Sequence, residues 1–237
     1  MRTWKSKEGA IELREGRWQE ALADVATAEA LITDPPYSDR THKGQRTGSS
    51  IRTPTILYDA LSAEGAVEIA NAWRERVRHW AIVWSDHVGH RMHEEAWGTH
   101  WYTFAPVVWL PDLSPPRMSG DGPTCAAAYL MIARPRRRLD EGRTGSRPGV
   151  YHARSARSCD ERSGLAGVKA IDGVRALIRD YTLKDDLIID PFAGSGTTLL
   201  AAAIEGRRAI GAEVNPKTFD LAVKRLKAGW TMPLALS

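Results

Sequence analysis

The sequence predicts an α/β protein built on a parallel sheet, and two observations support this prediction. From Gly167 onward, apolar strand-like runs alternate with amphipathic helix-like runs at the spacing of βαβ units. Such units require parallel strands joined by right-handed crossovers. In addition, the apolar run ALIT (30–33) stops at two prolines, as expected for a buried strand that ends where a hydrogen-bond donor is withdrawn.

The individual elements follow from local periodicity. Strands are predicted at 10–14, 30–33, 79–85, 101–110, 126–135, 186–192 and 207–214. Helices are predicted at 18–25, from Ser62 onward with a capping-box start, and at 88–97, 168–182, 197–206 and 216–229. Tryptophans 73, 80, 84, 97, 101 and 109 fall within these elements and are expected in the core.

Composition indicates a globular chain that is long enough for a substantial core. The 237 residues are 43% hydrophobic and 26% charged. No apolar run approaches the roughly 18 residues of a membrane span, and the N-terminus lacks the apolar segment of a signal peptide. We therefore expect a cytoplasmic protein.

Positive charge is concentrated in one segment. The net charge is +4 and the pI about 9.2, but nine arginines and four acidic residues lie between Arg134 and Arg162. This balance suits a polyanion such as nucleic acid, and a solvated arginine-rich loop is the alternative. A second stretch, 38–55, is rich in Gly, Ser, Thr and Arg and indicates a long functional or disordered loop.

The stretch DLIIDPFAGSGTTLL (186–200) predicts a strand, a glycine turn and a helix that bind a small polar ligand. No lysine follows the glycines, so a phosphate-binding P-loop is not indicated, and the dinucleotide pattern GxGxxG is incomplete. Seventeen residues after Gly196, Glu213 ends the next strand, where an acid can accept hydrogen bonds from ribose hydroxyls. These features favour S-adenosylmethionine, and a glycine turn that serves only packing is the alternative.

Two motifs together resemble a known family. DPPY (34–37) and DPFAGSGTT (190–198) are similar to motifs of the amino-group DNA methyltransferases, which methylate adenine N6 or cytosine N4 with S-adenosylmethionine. Their order resembles the permuted beta class, and DPPYSDRTHKG and EGRRAIGAEVNP resemble its small phage-type members. The resemblance implies a Rossmann-like, seven-stranded, mostly parallel sheet in a single domain. It would comprise a catalytic half (10–135), a short target-recognition insertion (136–166) and a cofactor half (167–230).

The resemblance also implies a set of cofactor-binding residues. They are Asp34, Lys169, Asp190, Phe192, Gly194, Ser195, Gly196, Thr197, Glu213 and Asn215. Two positions depart from the family pattern: its Lys-Pro pair is here Lys169 and Ala170, and its early Gly-Asp pair is Gly16 and Arg17.

The chemistry of an exocyclic amine explains why Asp34, Pro35, Pro36 and Tyr37 are the predicted catalytic residues. The amine lone pair is delocalised into the base ring, and two acceptors aimed at its N–H bonds, the Asp34 carboxylate and the Pro35 carbonyl, would localise it. Pro36 offers no competing N–H, and Tyr37 would stack on a base flipped out of the duplex. Direct transfer of the methyl group needs no metal. A rigid turn with a buried tyrosine is the alternative.

The predicted partner is double-stranded DNA. Its predicted contacts are Arg40, Lys43, Arg46, Arg136, Arg137, Arg138, Arg143 and Arg147. The short insertion predicts a short recognition site, or recognition shared with the 38–55 loop or with the second subunit of a homodimer. His87, His90 and His93 match no metal-binding motif and are expected on the surface or facing DNA.

The function predicted on these grounds is methylation of adenine N6 in DNA, because Asp rather than Ser at the first motif position is typical of the adenine enzymes in this family. Cytosine N4 remains open as the target. Two further alternatives are a catalytically silent DNA-binding protein on the same fold and a methyltransferase of RNA or protein.

Overall fold

The computed structural model describes residues 1–39, 60–111, 122–123, 126–136, 143–153 and 168–229. Within these ranges the strands are β1 (Thr3–Lys5), β2 (Ile11–Glu15), β3 (Ala28–Thr33), β4 (Val77–Ser85), β5 (Trp101–Thr103), β6 (Val107–Pro111), β7 (Ala128–Pro135), β8 (Val150–Ala153), β9 (Leu187–Asp190) and β10 (Arg208–Glu213). The helices are α1 (Trp18–Ala21), α2 (Ala63–Trp73), α3 (His87–Gly98), α4 (Ile171–Tyr181), α5 (Thr197–Ile204) and α6 (Pro216–Gly229). None of these helices combines the length and apolar character needed to cross a bilayer.

All ten strands join one sheet, in the order β1-β2-β10-β9-β3-β4-β7-β6-β8, with β5 also paired to β7. The strands from β2 to β4 along this order are parallel, whereas β7 is antiparallel to β4, β5 and β6. The C-terminal ends of β3, β4, β9 and β10 therefore meet at one end of the sheet. We call this the carboxyl end and the opposite one the amino end.

Helices cover both faces of the sheet, and the strands alternate their side chains between two apolar clusters. On β3, Ile32 packs in the cluster that includes Leu177 of α4 and Leu199 of α5, whereas Leu31 packs in the cluster that includes Ile69 and Trp73 of α2. Each fully buried side chain of this kind contributes about 1.5–3 kcal/mol relative to exposure. The six tryptophans expected in the core are all buried: Trp73, Trp80, Trp84, Trp97, Trp101 and Trp109.

Each predicted strand and helix overlaps an observed one, and three differences have physical reasons. The run 101–110 forms two strands separated at residues 104–106, where Pro106 lacks an N–H for the ladder. Strands β1 and β8, of three and four residues, are too short for periodicity to predict. Moreover, β8 lies within the segment predicted as a recognition insertion, so part of that segment is a strand of the sheet. Within the described residues the sheet therefore has ten strands, where seven were expected.

Candidate active site

The two motifs singled out in the sequence lie side by side at the carboxyl end of the sheet. Residues 34–37 follow β3 and the glycine turn follows β9, and these two strands are hydrogen-bonded neighbours. A direct contact joins their ends, because the buried Thr33 hydroxyl donates to Asp190 Oδ1 at 2.6 Å. The predicted catalytic and cofactor segments therefore share one site, although they are more than 150 residues apart in sequence.

Asp34 is held by a lysine. Lys169 Nζ donates a hydrogen bond to Asp34 Oδ2 and lies 5.3 Å from the Tyr37 ring centroid and 6.0 Å from that of Trp84. Asp34 Oδ1 is buried and has no hydrogen-bond partner among the described residues. A buried acceptor of this kind is unfavourable unless a donor reaches it. The pair thus leaves one carboxylate oxygen that a ligand amine could satisfy.

The glycine turn has the backbone that its sequence predicts. Gly194 and Gly196 adopt positive φ angles of 50° and 78°, which other residues rarely tolerate. Helix α6 backs the turn, since a Cβ at Gly196 would lie 3.4 Å from Leu226 Cγ. The turn can therefore present its backbone at the start of α5 without side chains in the way.

Arg225 of α6 fixes the same turn and was not evident in the sequence. Its Nη1 donates to the Ser195 carbonyl at 3.2 Å, to Ser195 Oγ at 2.9 Å and to Thr197 Oγ1 at 2.6 Å. Ser195 and Thr197 were predicted as cofactor residues, and here their hydroxyls bind a neighbouring helix. No local pattern marks Arg225, because its partners lie about 30 residues upstream.

Two acids flank the turn, and both are perturbed by burial. Burial raises the pKa of Asp190 to about 6, aided by the nearby Asp34 charge and opposed by hydrogen bonds from Thr33, Thr198 and the Phe192 amide. Burial likewise raises the pKa of Glu213, whose Oε1 accepts the Asn215 amide at 2.7 Å. Glu213 ends β10 beside the turn, as expected for a ribose-binding acid.

Two further residues predicted at the cofactor have other partners here. The Asn215 side chain accepts the amides of Lys217 and Thr218 at 3.0 and 3.1 Å and so caps α6. Phe192 is partly buried against Trp18, with ring centroids 6.4 Å apart.

Arg143 and Arg147, which were predicted to contact DNA, have protein partners in this structure, and their contact with DNA stays a prediction. Arg143 forms a bidentate pair with Asp186, at 2.6 and 2.8 Å. The Arg147 guanidinium lies 4.5 Å from the Trp80 ring centroid and 5.1 Å from that of Tyr181, and its Nε donates to the Asp180 carbonyl at 2.9 Å. Since Asp180 and Asp186 precede β9, these contacts lie at the amino end of the sheet, opposite the motifs.

The other predicted DNA contacts divide into two groups. Arg136 is exposed and donates to the Gly98 carbonyl at 3.3 Å. It follows β7, which is antiparallel to β4, so Arg136 also lies at the amino end. The remaining ones, Arg40, Lys43, Arg46, Arg137 and Arg138, lie outside the described residues.

The expectation that the three histidines lie on the surface or face DNA is wrong for two of them. His87 is exposed, but His90 and His93 lie with Trp97 on the buried face of α3. Their ring nitrogens have no hydrogen-bond partner among the described residues. Burial lowers the pKa of His93 to about 4, so this imidazole is neutral at physiological pH. In the part of the chain that is described, no group of three or more His, Cys, Asp or Glu side chains is placed to hold a metal ion.

Comparison with known proteins identifies relatives of this chain. The sequence profile of a family described as DNA methylase matches residues 119–224. The type II methyltransferase M.HindIII of Haemophilus influenzae is 45% identical over 58 residues, covering 24% of this chain and 19% of that protein. M.Cfr9I of Citrobacter freundii is 27% identical over 138 residues, covering 54% and 45%. The matched stretches thus span less than half the length of these curated relatives.

Solved structures share the fold over nearly the whole chain. The M1.HpyAVI–SAM complex superposes with a TM-score of 0.68 at 19% identity, covering 91% of this chain and 98% of that one. TTHA0409 of Thermus thermophilus, described as a putative DNA modification methylase and solved with S-adenosyl-L-methionine, has a TM-score of 0.62 at 19% identity and covers 92% and 93%. The cytosine-N4-specific PvuII DNA methyltransferase has a TM-score of 0.64 at 16% identity and covers 98% and 89%. The predicted fold is confirmed, and the phage-type subgroup stays a prediction.

Proposed function

We propose that this chain transfers a methyl group from S-adenosylmethionine to an exocyclic amine of a DNA base, in keeping with its similarity to the DNA methylase family and to type II methyltransferases. The observation that carries the proposal is the junction of the two motifs at the carboxyl end of the sheet. Asp34 and the glycine turn follow neighbouring strands, and the Thr33–Asp190 hydrogen bond joins those strands at their ends.

The residues around the glycine turn fit S-adenosylmethionine. Gly194 and Gly196 leave the backbone open to a ligand, and the described turn carries no lysine for a phosphate. Glu213 is the acid that would accept the ribose hydroxyls, and Asp190 supplies buried negative charge between the turn and Asp34. The sulfonium of the bound cofactor supplies a methyl group that is already activated.

The chain's own residues would raise the nucleophilicity of the base amine. Asp34 Oδ1, the unpartnered buried acceptor, would accept one amine N–H, and the Pro35 carbonyl would accept the other. Lys169 would occupy the second Asp34 oxygen and hold the carboxylate in one orientation. Tyr37 would stack on the flipped base, whose extrusion costs roughly a few kcal/mol. Positioning and electrostatics then account for most of the catalysis.

We propose adenine N6 as the target atom, with cytosine N4 as the second candidate. The first position of the catalytic motif is Asp34, and in the family that this chain resembles an Asp there is typical of adenine enzymes. The fold does not separate the two targets, because the cytosine-N4-specific PvuII enzyme also shares it.

Single-molecule sequencing of DNA from a methylation-free bacterial host that expresses the chain tests this proposal directly. We expect N6-methyladenine within a short sequence motif that is absent from the empty-vector host. N4-methylcytosine in its place would reassign the base. Unmodified DNA, together with labelled methyl groups on RNA or protein in a competition assay, would refute DNA as the substrate.

Replacing Arg225 with methionine is expected to weaken S-adenosylmethionine binding about tenfold. The substitution removes three hydrogen bonds that fix the glycine turn, and one net hydrogen bond contributes on the order of 1 kcal/mol. Isothermal titration calorimetry with the cofactor measures the effect. Lys224→Met, on an exposed position of the same helix, is the matched control. If the Arg225→Met variant bound S-adenosylmethionine as tightly as wild type, the proposal that the glycine turn fixed by Arg225 binds the cofactor would be contradicted.

A further inference from the structure

The catalytic segment is anchored at its far end by a buried carboxylate. Ser38, directly after the DPPY motif, donates to Asp86 Oδ2 from its amide at 3.1 Å and from its hydroxyl at 2.5 Å. Asp86 directly follows β4, the neighbour of β3, and is 6% exposed. Hydrogen bonds to an ionised acceptor are about twice as strong as neutral ones. This contact therefore holds the loop firmly to the sheet.

Asp86 is fixed in turn by the helix that it begins. Its Oδ1 accepts the amides of Val88 and Gly89 at 3.1 and 2.6 Å, so the same side chain is the N-cap of α3. The two oxygens thus face different elements, one the helix and the other Ser38. A carboxylate locked by a helix N-terminus makes a rigid anchor for the loop.

The loop formed by residues 34–37 is consequently held by hydrogen bonds at both of its ends. Thr33 is bonded to Asp190 at the near end, and Ser38 to Asp86 at the far end. Between them, two prolines restrict the backbone, and the Tyr37 carbonyl accepts the Leu61 amide at 3.0 Å. If the far end were released, the Tyr37 ring and the Pro35 carbonyl would no longer be held in one place.

We propose that Ser38 and Asp86 are positioning residues for the methyl-transfer step, acting on the target base through Tyr37 and Pro35. This inference rests on the proposed function. A misplacement of about 1 Å at a reacting group can lower a rate about 100-fold. The competing explanation is that Asp86 only caps α3, in which case the Ser38 hydroxyl has no effect on the rate.

Ser38→Ala separates these explanations, because it removes the hydroxyl bond and leaves the α3 cap intact. We expect the single-turnover rate of methyl transfer to unmethylated bacterial DNA to fall about 10- to 100-fold. The dissociation constant for S-adenosylmethionine should stay within about twofold of wild type. Ser38→Thr keeps a hydroxyl and should restore most of the rate.

The matched control is Ser6→Ala. Ser6 is also buried and its hydroxyl also makes a hydrogen bond, from the Ile11 amide at 3.2 Å, but it lies at the amino end of the sheet. We expect this variant to lose some thermal stability and to keep the wild-type rate. A rate loss equal to that of Ser38→Ala would show that stability alone explains the effect and would overturn the inference.

A double-mutant cycle completes the test. Asp86→Asn keeps a capping side chain for α3 but weakens the acceptor for Ser38. If the two residues act as one unit, the Ser38→Ala/Asp86→Asn variant should be no slower than the slower single variant. Multiplicative rate losses, or a wild-type rate in Ser38→Ala, would overturn the inference. A wild-type chain that methylates no DNA would instead refute the proposed function.

Discussion

Replacing Asp34 with alanine is expected to lower the rate of methyl transfer to DNA about 100- to 1,000-fold, with little change in S-adenosylmethionine affinity. Removal of one preorganised hydrogen-bonding group at a reacting centre has an effect of this size. Asp34 offers the buried Oδ1 acceptor, whereas the glycine turn and Glu213 keep their contacts without it. Single-turnover kinetics with labelled cofactor, and calorimetry on the same preparation, measure the two quantities.

The result must be separated from a loss of folding, because Asp34 is also the partner of Lys169. Asp34→Asn keeps the size of the side chain and one carbonyl oxygen, so it should be less impaired than Asp34→Ala. Asp172→Ala, an exposed acid on α4, is the matched control and should transfer methyl groups at the wild-type rate. A fully active Asp34→Ala variant would refute the catalytic assignment and would favour the rigid-turn interpretation of the motif.

Local sequence was sufficient to predict the parts of the site that are contiguous in the chain. Strand β9, the glycine turn and helix α5 are consecutive in the chain, so spacing and residue type alone indicate their geometry. The same holds for the prolines that end β3. That the two segments are neighbours could be inferred only from the resemblance, since strand order in a sheet is a long-range property.

The residues that sequence analysis missed have partners far away in the chain. Asp86 and Ser38 are 48 positions apart, and Arg225 acts on a turn about 30 positions upstream. Buried His90 shows that a local pattern can also fit two different environments. A histidine at helical spacing with Trp97 fits an apolar face as well as a solvated one, and only packing against the sheet distinguishes them.

The arginine-rich segment shows what composition alone leaves open. Arginine binds a protein carboxylate and a DNA phosphate by the same bidentate geometry, so composition cannot reveal which anion is the partner. In this chain, Asp186 and the aromatic rings of Trp80 and Tyr181 are the partners of Arg143 and Arg147. These contacts hold Arg143 and Arg147 at the amino end of the sheet. A base bound at Asp34 would have to approach the carboxyl end.

We therefore expect Arg143→Met to lower the free energy of unfolding and to leave DNA affinity unchanged. The Arg143 and Asp186 side chains are only 11% and 7% exposed, and removal of one partner from such a buried pair costs about 3 kcal/mol or more. Urea denaturation should show this loss in the free energy of unfolding. Arg136→Met, an exposed arginine at the same end of the sheet, should change it by less than about 0.5 kcal/mol.

Two further measurements distinguish the structural role of the Arg143–Asp186 pair from a DNA contact. If Arg143 bound a phosphate, its removal would lower the salt dependence of DNA affinity, whereas we expect that dependence to be unchanged.

Burial raises the pKa of Asp186, but hydrogen bonds from Arg143 and the Leu183 amide outweigh it and lower the pKa below its usual range. The stabilisation should therefore be complete above the unfolded-state pKa of about 4 and be lost as pH falls through the lower folded-state pKa. The Asp186→Asn variant should lose this part of the pH dependence of stability. An Arg143→Met variant that keeps wild-type stability but binds DNA more weakly would contradict the structural role and would support Arg143 as a DNA contact.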